Sequence, residues 1–281
     1  MTASRPSRIP MTAVQGIDAA PAEGSIRAWF RQSAQLSQRQ LTVWVRDSST
    51  MIQSLLAPAL AMIMFKVVLG DAIGDATGQD SAYGTVPLVI LVGAMFGATA
   101  AAVKLNVERG TGLLGRLYVL PVHRAADLTS RVVAELVRIF LTTVILLAAG
   151  HLIGFRLDQG LVAGLGLIGV ALAFGASFSM LALTLAVIAK PTAPLVPLLS
   201  MACSLAMFFN SGFAPVDSYP SWLRPVVENQ PMSPAIEAMR SLAAGGPVAA
   251  DLVKVLIWAA AVLVACLYPG LRGYRRAAAG R

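Results

Sequence analysis

Six apolar runs constrain this chain more than any other feature. A helix needs about 20 apolar residues to cross a hydrocarbon core of roughly 30 Å, and runs of that kind fall at about 50–69, 85–103, 132–153, 161–189, 191–212 and 248–271. The fifth is strongly apolar only over about 195–209 and is short for a crossing unless it begins at Pro191 or continues past Asn210. In lipid every backbone polar group needs an internal partner, which leaves helices or closed barrels. Barrel strands alternate in polarity over about ten positions, and these runs do not. The chain is 57% hydrophobic and 13% charged, against roughly 25% charged in soluble domains, so no soluble domain large enough to hold its own core remains. The expected fold class is all-α, a polytopic membrane protein with six transmembrane helices.

The charges set an expected orientation. The net charge of +8 sits in short flanks of the apolar runs rather than on one face, which argues against a nucleic-acid partner. Basic residues mark the N-terminal region, the connection holding Lys104, Arg109, Arg116, Arg124 and Arg131, the turn at Lys190, and the C-terminal Arg272, Arg275, Arg276 and Arg281. Gly70 to Gly84 carries Asp71, Asp75 and Asp80 and no Lys or Arg. The positive-inside rule then places both termini in the cytoplasm and the chain in the cell membrane. Residues 1–24 read as a disordered cytoplasmic tail, 25–276 as one transmembrane domain and 277–281 as a short cytoplasmic tail. Between Ser25 and Asp47, Ile26, Trp29, Phe30, Leu41, Trp44 and Val45 recur at helical spacing among arginines. They form either a helix lying in the membrane interface or an ordinary surface helix. Cys203 and Cys266 fall inside apolar runs and are expected as buried free thiols.

Few residues point to chemistry. The phosphate-binding pattern G-x-x-x-x-G-K-[ST] is absent, so if ATP drives this chain, another subunit binds it. Gly110, Gly112 and Gly115 match G-x-G-x-x-G but follow a membrane helix rather than a strand. His123 and His151 are expected on opposite membrane faces, unable to share a metal, and no spacing favours His151 with Ser200 or Ser204 as a hydrolytic pair. No catalytic, metal-binding or cofactor-binding residues are expected. Glu135 and Arg138, three apart near the inner end of the third run, suit a local ion pair, with a proton relay through Glu135 as the alternative. An ion-coupled secondary transporter would need ionisable groups near midplane, where the chain offers Asn210 and no well-centred carboxylate. In the inner connection, Leu113, Leu114, Leu117, Tyr118 and Leu120 fit a short helix among basic residues that ends before Pro121. It either docks in a groove of another protein or folds against the membrane surface.

The stretch from Asn210 to Gly246 is too polar and proline-rich to span, yet it carries Phe213, Tyr219, Trp222, Met232, Ile236 and Met239. Pro215, Pro220, Pro225, Pro231 and Pro234 break it into short pieces, and backbone at membrane depth tolerates such breaks only inside protein or along a wet cavity. The topology puts it outside, as a gate with Asn210 at its entry or as a lid that only seals the bundle. Thiols introduced at Ser211, Ser218 and Ser221 are expected to react from outside.

The motifs LTVWVRD (Leu41 to Asp47), GRLYVLPVHRAADLTSR (Gly115 to Arg131) and SGFAPVDSYPSWLRPVVENQPMSPAIEAMR (Ser211 to Arg240) resemble the permease subunit of type-2 ABC exporters. The resemblance runs from about Trp29 to Arg276 and is strongest to the C component of actinobacterial daunorubicin/doxorubicin-resistance permeases. It implies an exporter of amphipathic drugs or complex envelope lipids, with ATP and Mg bound by two copies of a separate ATP-binding subunit and no cofactor on this chain. A second homologous permease, or a second copy of this one, is implied as a further partner. Glu108, Arg109, Leu113, Leu114, Arg116, Leu117, Tyr118, His123 and Arg124 would belong to the coupling helix seated on the ATPase. Asn210, Phe213, Pro215, Tyr219, Trp222, Pro231 and Pro234 would belong to an outer segment of two short re-entrant helices, broken around Pro231 to Pro234.

Overall fold

The computed structural model describes residues 25–46, 48–111, 126–189 and 195–278. Every regular element among them is helical: α1 Ile26–Arg46, α2 Ser48–Thr77, α3 Ala82–Gly110, α4 Ala126–Leu152, α5 Gly160–Ile188, α6 Leu195–Phe208, a 3-10 turn Val216–Ser218, α7 Arg224–Asn229, α8 Met232–Ala244 and α9 Ala249–Ala278. The helices α2, α3, α4, α5 and α9 are long and apolar enough to cross a membrane, while α6 has only 14 residues. At 1.5 Å per residue α6 spans about 21 Å, short of the roughly 30 Å core.

Contacts between helix ends gather them into two sets. One set, here the basic end, holds α1, the end of α3, the start of α4 and the ends of α5 and α9. At the opposite end lie the α2–α3 and α4–α5 connections and the stretch from Phe209 to Val248.

Small residues put α3 at the centre. It contacts α2, α4, α5, α6 and α8, and Ala94, Ala98 and Ala102 are buried along it. Such side chains let helix backbones approach closely where no solvent drives association. A main apolar core gathers Leu88, Leu91, Leu146, Leu167, Ile236 and Met239. By contrast α2 and α9 turn Leu60, Val67, Val68, Ile257, Val264 and Leu267 outward, as faces meeting lipid or another membrane subunit do.

Several boundaries differ from the apolar runs. The first helix continues to Thr77, so Asp71 and Asp75 lie on its last turns rather than in a loop. The second extends to Gly110 and the third begins at Ala126, because an amphipathic turn continues a helix beyond its apolar part. The fifth stops at Phe208: the Asn210 side-chain amide donates to the carbonyls of Ala206 (3.1 Å) and Met207 (2.6 Å), satisfying the groups a further turn would have used. The space beyond that short helix is filled by α8, buried through Met232, Ala235, Ile236 and Met239 and packed on α3, α5 and α9. Gly245, at φ 93°, supplies the left-handed backbone that ends α8.

Candidate functional site

At the basic end, acidic and basic side chains meet between helices. Glu108 closes α3 while Asp127 and Arg131 lie in the first turns of α4. The Arg131 guanidinium donates to Asp127 (2.8 Å) and to Glu108 (2.6 Å). The Tyr274 hydroxyl of α9 donates to the same Asp127 carboxylate. One half-buried guanidinium thereby fastens the end of α3 to the start of α4 and, through Asp127, to the end of α9. Arg109 turns the other way and donates to the Ala186 (3.4 Å) and Ala189 carbonyls, where the end of α5 has no further amides to offer. A cation there also meets the favourable end of the helix dipole.

Deeper on α4 the Arg138 guanidinium donates to both carboxylate oxygens of Glu135. Both residues are buried, and Arg138 sits roughly midway along α4 rather than near its inner end, because that helix starts at Ala126. The local ion pair expected from the i, i+3 spacing is present. Its guanidinium lies so close to α3 that a Cβ on Gly97 would fall 1.7 Å from the Arg138 Nη2 atom. A side chain on α3 at this depth would have to displace that guanidinium from its place beside the helix.

These charges line part of a cavity of about 650 Å³ between α1, α2, α3 and α4. Its apolar wall includes Trp44, Pro58 and Phe96. The helix α1 forms one side because a narrow polar face, Ser33 and Ser37, is buried. Ser37 donates to the Ser130 carbonyl (3.1 Å), Gln40 to the Ser130 hydroxyl (3.1 Å) and the Trp29 indole to Thr129 (3.2 Å). The amphipathic helix thus grips the start of α4 with its polar side and leaves Ile26, Phe30, Val43 and Val45 exposed.

The opposite end is built from close backbone contact. Asn210 and Ser211 are fully buried. The Asn210 side-chain oxygen accepts from the Gly212 amide (2.7 Å), and its backbone carbonyl accepts from the Tyr219 hydroxyl (2.8 Å). Burial pushes the Tyr219 phenol above its ordinary pKa. Ser211 takes its amide to the Ser233 hydroxyl (3.3 Å), and its carbonyl accepts from Arg240 (3.0 Å), which is also paired with Glu237 (3.0 Å). A Cβ on Gly84 of α3 would lie 2.3 Å from the Gly212 carbonyl oxygen, so α3 and this stretch touch backbone to backbone. Phe213 meets Phe65 edge-on at 5.1 Å.

Of the outer-segment residues named from sequence, Asn210, Phe213, Tyr219 and the buried Pro234 belong to this plug. Pro215 precedes the 3-10 turn and Pro231 caps α8, so α7 and α8 are the two short helices, with the break at Gln230 and Pro231. Trp222 stands apart, 75% exposed. Ser211 corrects one expectation: it is 1% exposed and closed to a thiol reagent, whereas Ser218 and Ser221 are exposed. At the basic end, Glu108 and Arg109 bond within the chain rather than projecting outward. Leu113, Leu114, Arg116, Leu117, Tyr118, His123 and Arg124 lie outside the described residues. His151 sits beside Arg156, and Ser200 and Ser204 bond to carbonyls of their own helix. Cys203 and Cys266 are buried free thiols. Sequence reasoning missed the Arg131 hub, although Asp127 and Arg131 at i, i+4 were a legible signal for half of it.

An all-helical membrane protein with a short penultimate span, a buried re-entrant helix and a charged hub at one end has the architecture of a transporter's membrane subunit. Residues 31–243 match the ABC-2 type transporter family, and the chain belongs to that family. It is 38% identical over 271 residues to the probable doxorubicin resistance ABC transporter permease protein DrrC of Mycobacterium tuberculosis, covering 95% of this chain and 98% of that protein. It is 28% identical over 248 residues to the doxorubicin resistance permease DrrB of the same organism, covering 81% and 84%. With the daunorubicin resistance permease DrrB1 of Streptomyces coeruleorubidus it shares 26% over 226 residues, covering 80% and 79%.

Proposed function

We propose that this chain is the membrane subunit of an ATP-driven exporter that moves amphipathic drugs or complex envelope lipids out of the cell, with ATP and Mg bound by two copies of a separate subunit. The observation that carries this reading is the Arg131 hub. In sequence, residues 112–125 fall between Glu108, at the end of α3, and Asp127 and Arg131, at the start of α4, and those three side chains are joined. A partner pressing on 112–125 would move α3, α4 and α9 together rather than bending one connection. In this reading Arg116, His123 and Arg124, with Leu113, Leu114, Leu117 and Tyr118, contact the ATPase, and Glu108 and Arg109 hold the base of that contact. The basic end and both termini face the cytoplasm of a cell membrane. The plug around Asn210 closes the outer end as gate or lid. That both B-type and C-type permeases resemble the chain supports a second permease, or a second copy of this one, as partner. The relatives' names support an amphipathic cargo. The chain contributes transport rather than catalysis.

The test is reconstitution with the candidate ATP-binding subunit. ATP-dependent accumulation of a fluorescent anthracycline in inside-out vesicles, lost in a Walker-lysine variant of the partner, is the expected result. Arg116→Glu is expected to lower substrate-stimulated ATPase activity without lowering thermal stability. One observation favours a second reading, an ion-coupled secondary transporter: the buried Glu135–Arg138 pair lies midway along α4. Accumulation that persists without ATP and follows a proton gradient would establish that reading and overturn the first.

A further inference from the structure

The cavity between α1 and α4 has an unequal account of charge. Its three carboxylates are all engaged, Glu108 and Asp127 with Arg131, and Glu135 with Arg138. Two further cations on its wall, Arg39 and Lys104, have no acidic partner among the described residues. The Trp44 indole nitrogen, on the same wall, is buried with nothing to donate to. A buried donor without an acceptor is costly, and the Trp44 N–H beside two solvent-facing cations, Arg39 and Lys104, that no carboxylate engages suits a group with several anionic oxygens. The space is present: a Cβ on Gly93 would meet no atom within 4 Å, and about 650 Å³ lies in the range of ligand pockets. The wall is amphipathic, with Phe96 and Pro58 beside the charges, and α2 continues from Pro58 into exposed Leu60, Ile63 and Met64.

We propose that this cavity binds an anionic phospholipid, its phosphodiester held by Arg39, Lys104 and the Trp44 N–H while its acyl chains run out along α2. Basic pockets between helices at a cytoplasmic membrane face are where acidic headgroups settle. A cationic amphiphile finds no free carboxylate here, so the site is distinct from a binding place for cationic cargo. It is independent of which energy source drives export.

The test uses the purified full chain in neutral detergent, with tryptophan quenching by phosphatidylglycerol brominated in its acyl chains, against brominated phosphatidylcholine. Phosphatidylglycerol is expected to bind at least about tenfold more tightly. Arg39→Gln and Lys104→Gln are each expected to weaken it about fivefold, and Trp44→Phe to remove the lipid-specific part of the quench. Gly93→Leu, which alters no charge, fills the space and is expected to abolish the preference. Arg46, on the same helix but outside the cavity lining, supplies the control: Arg46→Gln is expected to leave binding unchanged. Equal affinity for the two lipids overturns the proposal, as does an Arg46→Gln loss matching that of Arg39→Gln, which would mean diffuse surface attraction. Displacement by millimolar inorganic phosphate would make it a free-anion site, and equal competition by a cationic amphiphile would make it a cargo site. Either outcome rejects the lipid assignment. None of these readouts requires transport, so failure of the exporter reading leaves them unaffected.

Discussion

The two ends of this bundle are joined by different physics. At the basic end, helices are held apart around a cavity and fastened by charge, through Arg131, Asp127, Glu108 and Tyr274, with the Glu135–Arg138 pair beneath. At the opposite end they meet with almost nothing between them, Gly84 of α3 against Gly212 and a buried asparagine serving the surrounding backbone. Long charged side chains can swing and re-pair, whereas backbone wedged against backbone has one arrangement. The contrast suggests motion at the charged end and a fixed reference at the other.

Substitutions can break that comparison. Glu135→Leu alone leaves the Arg138 guanidinium buried without its partner and is expected to cost about 3–5 kcal/mol, while replacing both residues by leucine recovers most of the loss. Unfolding in mixed micelles measures both, and a double variant as unstable as the single one would remove the charged staple from the account. Gly84→Ala is expected to destabilise by about 1–3 kcal/mol or more, since a carbonyl of the facing backbone must move. Gly93→Ala, facing open space, is expected to be neutral or slightly stabilising. If the two alanine variants behave alike, the packed end is not rigid. Thiol accessibility sharpens the same point: Ser218→Cys and Ser221→Cys are expected to react with an impermeant maleimide added outside, and Ser211→Cys to stay unlabelled until the chain is unfolded.

The smallest effect is at the rim. Burial alone would raise the Asp80 carboxyl, but hydrogen bonds from the Lys66 ammonium and the Ala82 amide hold it below the usual carboxylate range. Because its folded pKa is depressed, the pair stabilises the protein at neutral pH, and that contribution fades as pH falls through and below the carboxylate range. Asp80→Asn is expected to lower stability slightly at neutral pH, leave it unchanged in acid, and so flatten the acid limb of the stability profile.

Much of this was legible beforehand. Long apolar runs and flanking arginines specify spans and their alternation, and the prolines of the outer stretch specify short helices because each removes a backbone donor. The Glu135–Arg138 pair was readable because both residues share one helix face. What could not be read depends on neighbours distant in the chain. Glu108 and Arg109 look alike as loop charges, yet one meets Arg131 and the other the end of α5. Serines 211, 218 and 221 are the same residue type in one polar stretch, and only packing on α8 buries the first. Gly93 and Gly97 are equivalent along α3, and only the position of Arg138 crowds one of them.

The meeting of Gly84 with Gly212 also sets an order in time. The third helix enters the membrane long before its partner stretch leaves the ribosome; at about 5–20 residues per second the delay is roughly ten seconds. During that interval the nascent chain holds an unfinished outer end. Closure of the plug is therefore expected among the last steps of biogenesis, and a chain truncated before Phe209 should be presented to membrane quality control with α3 uncapped.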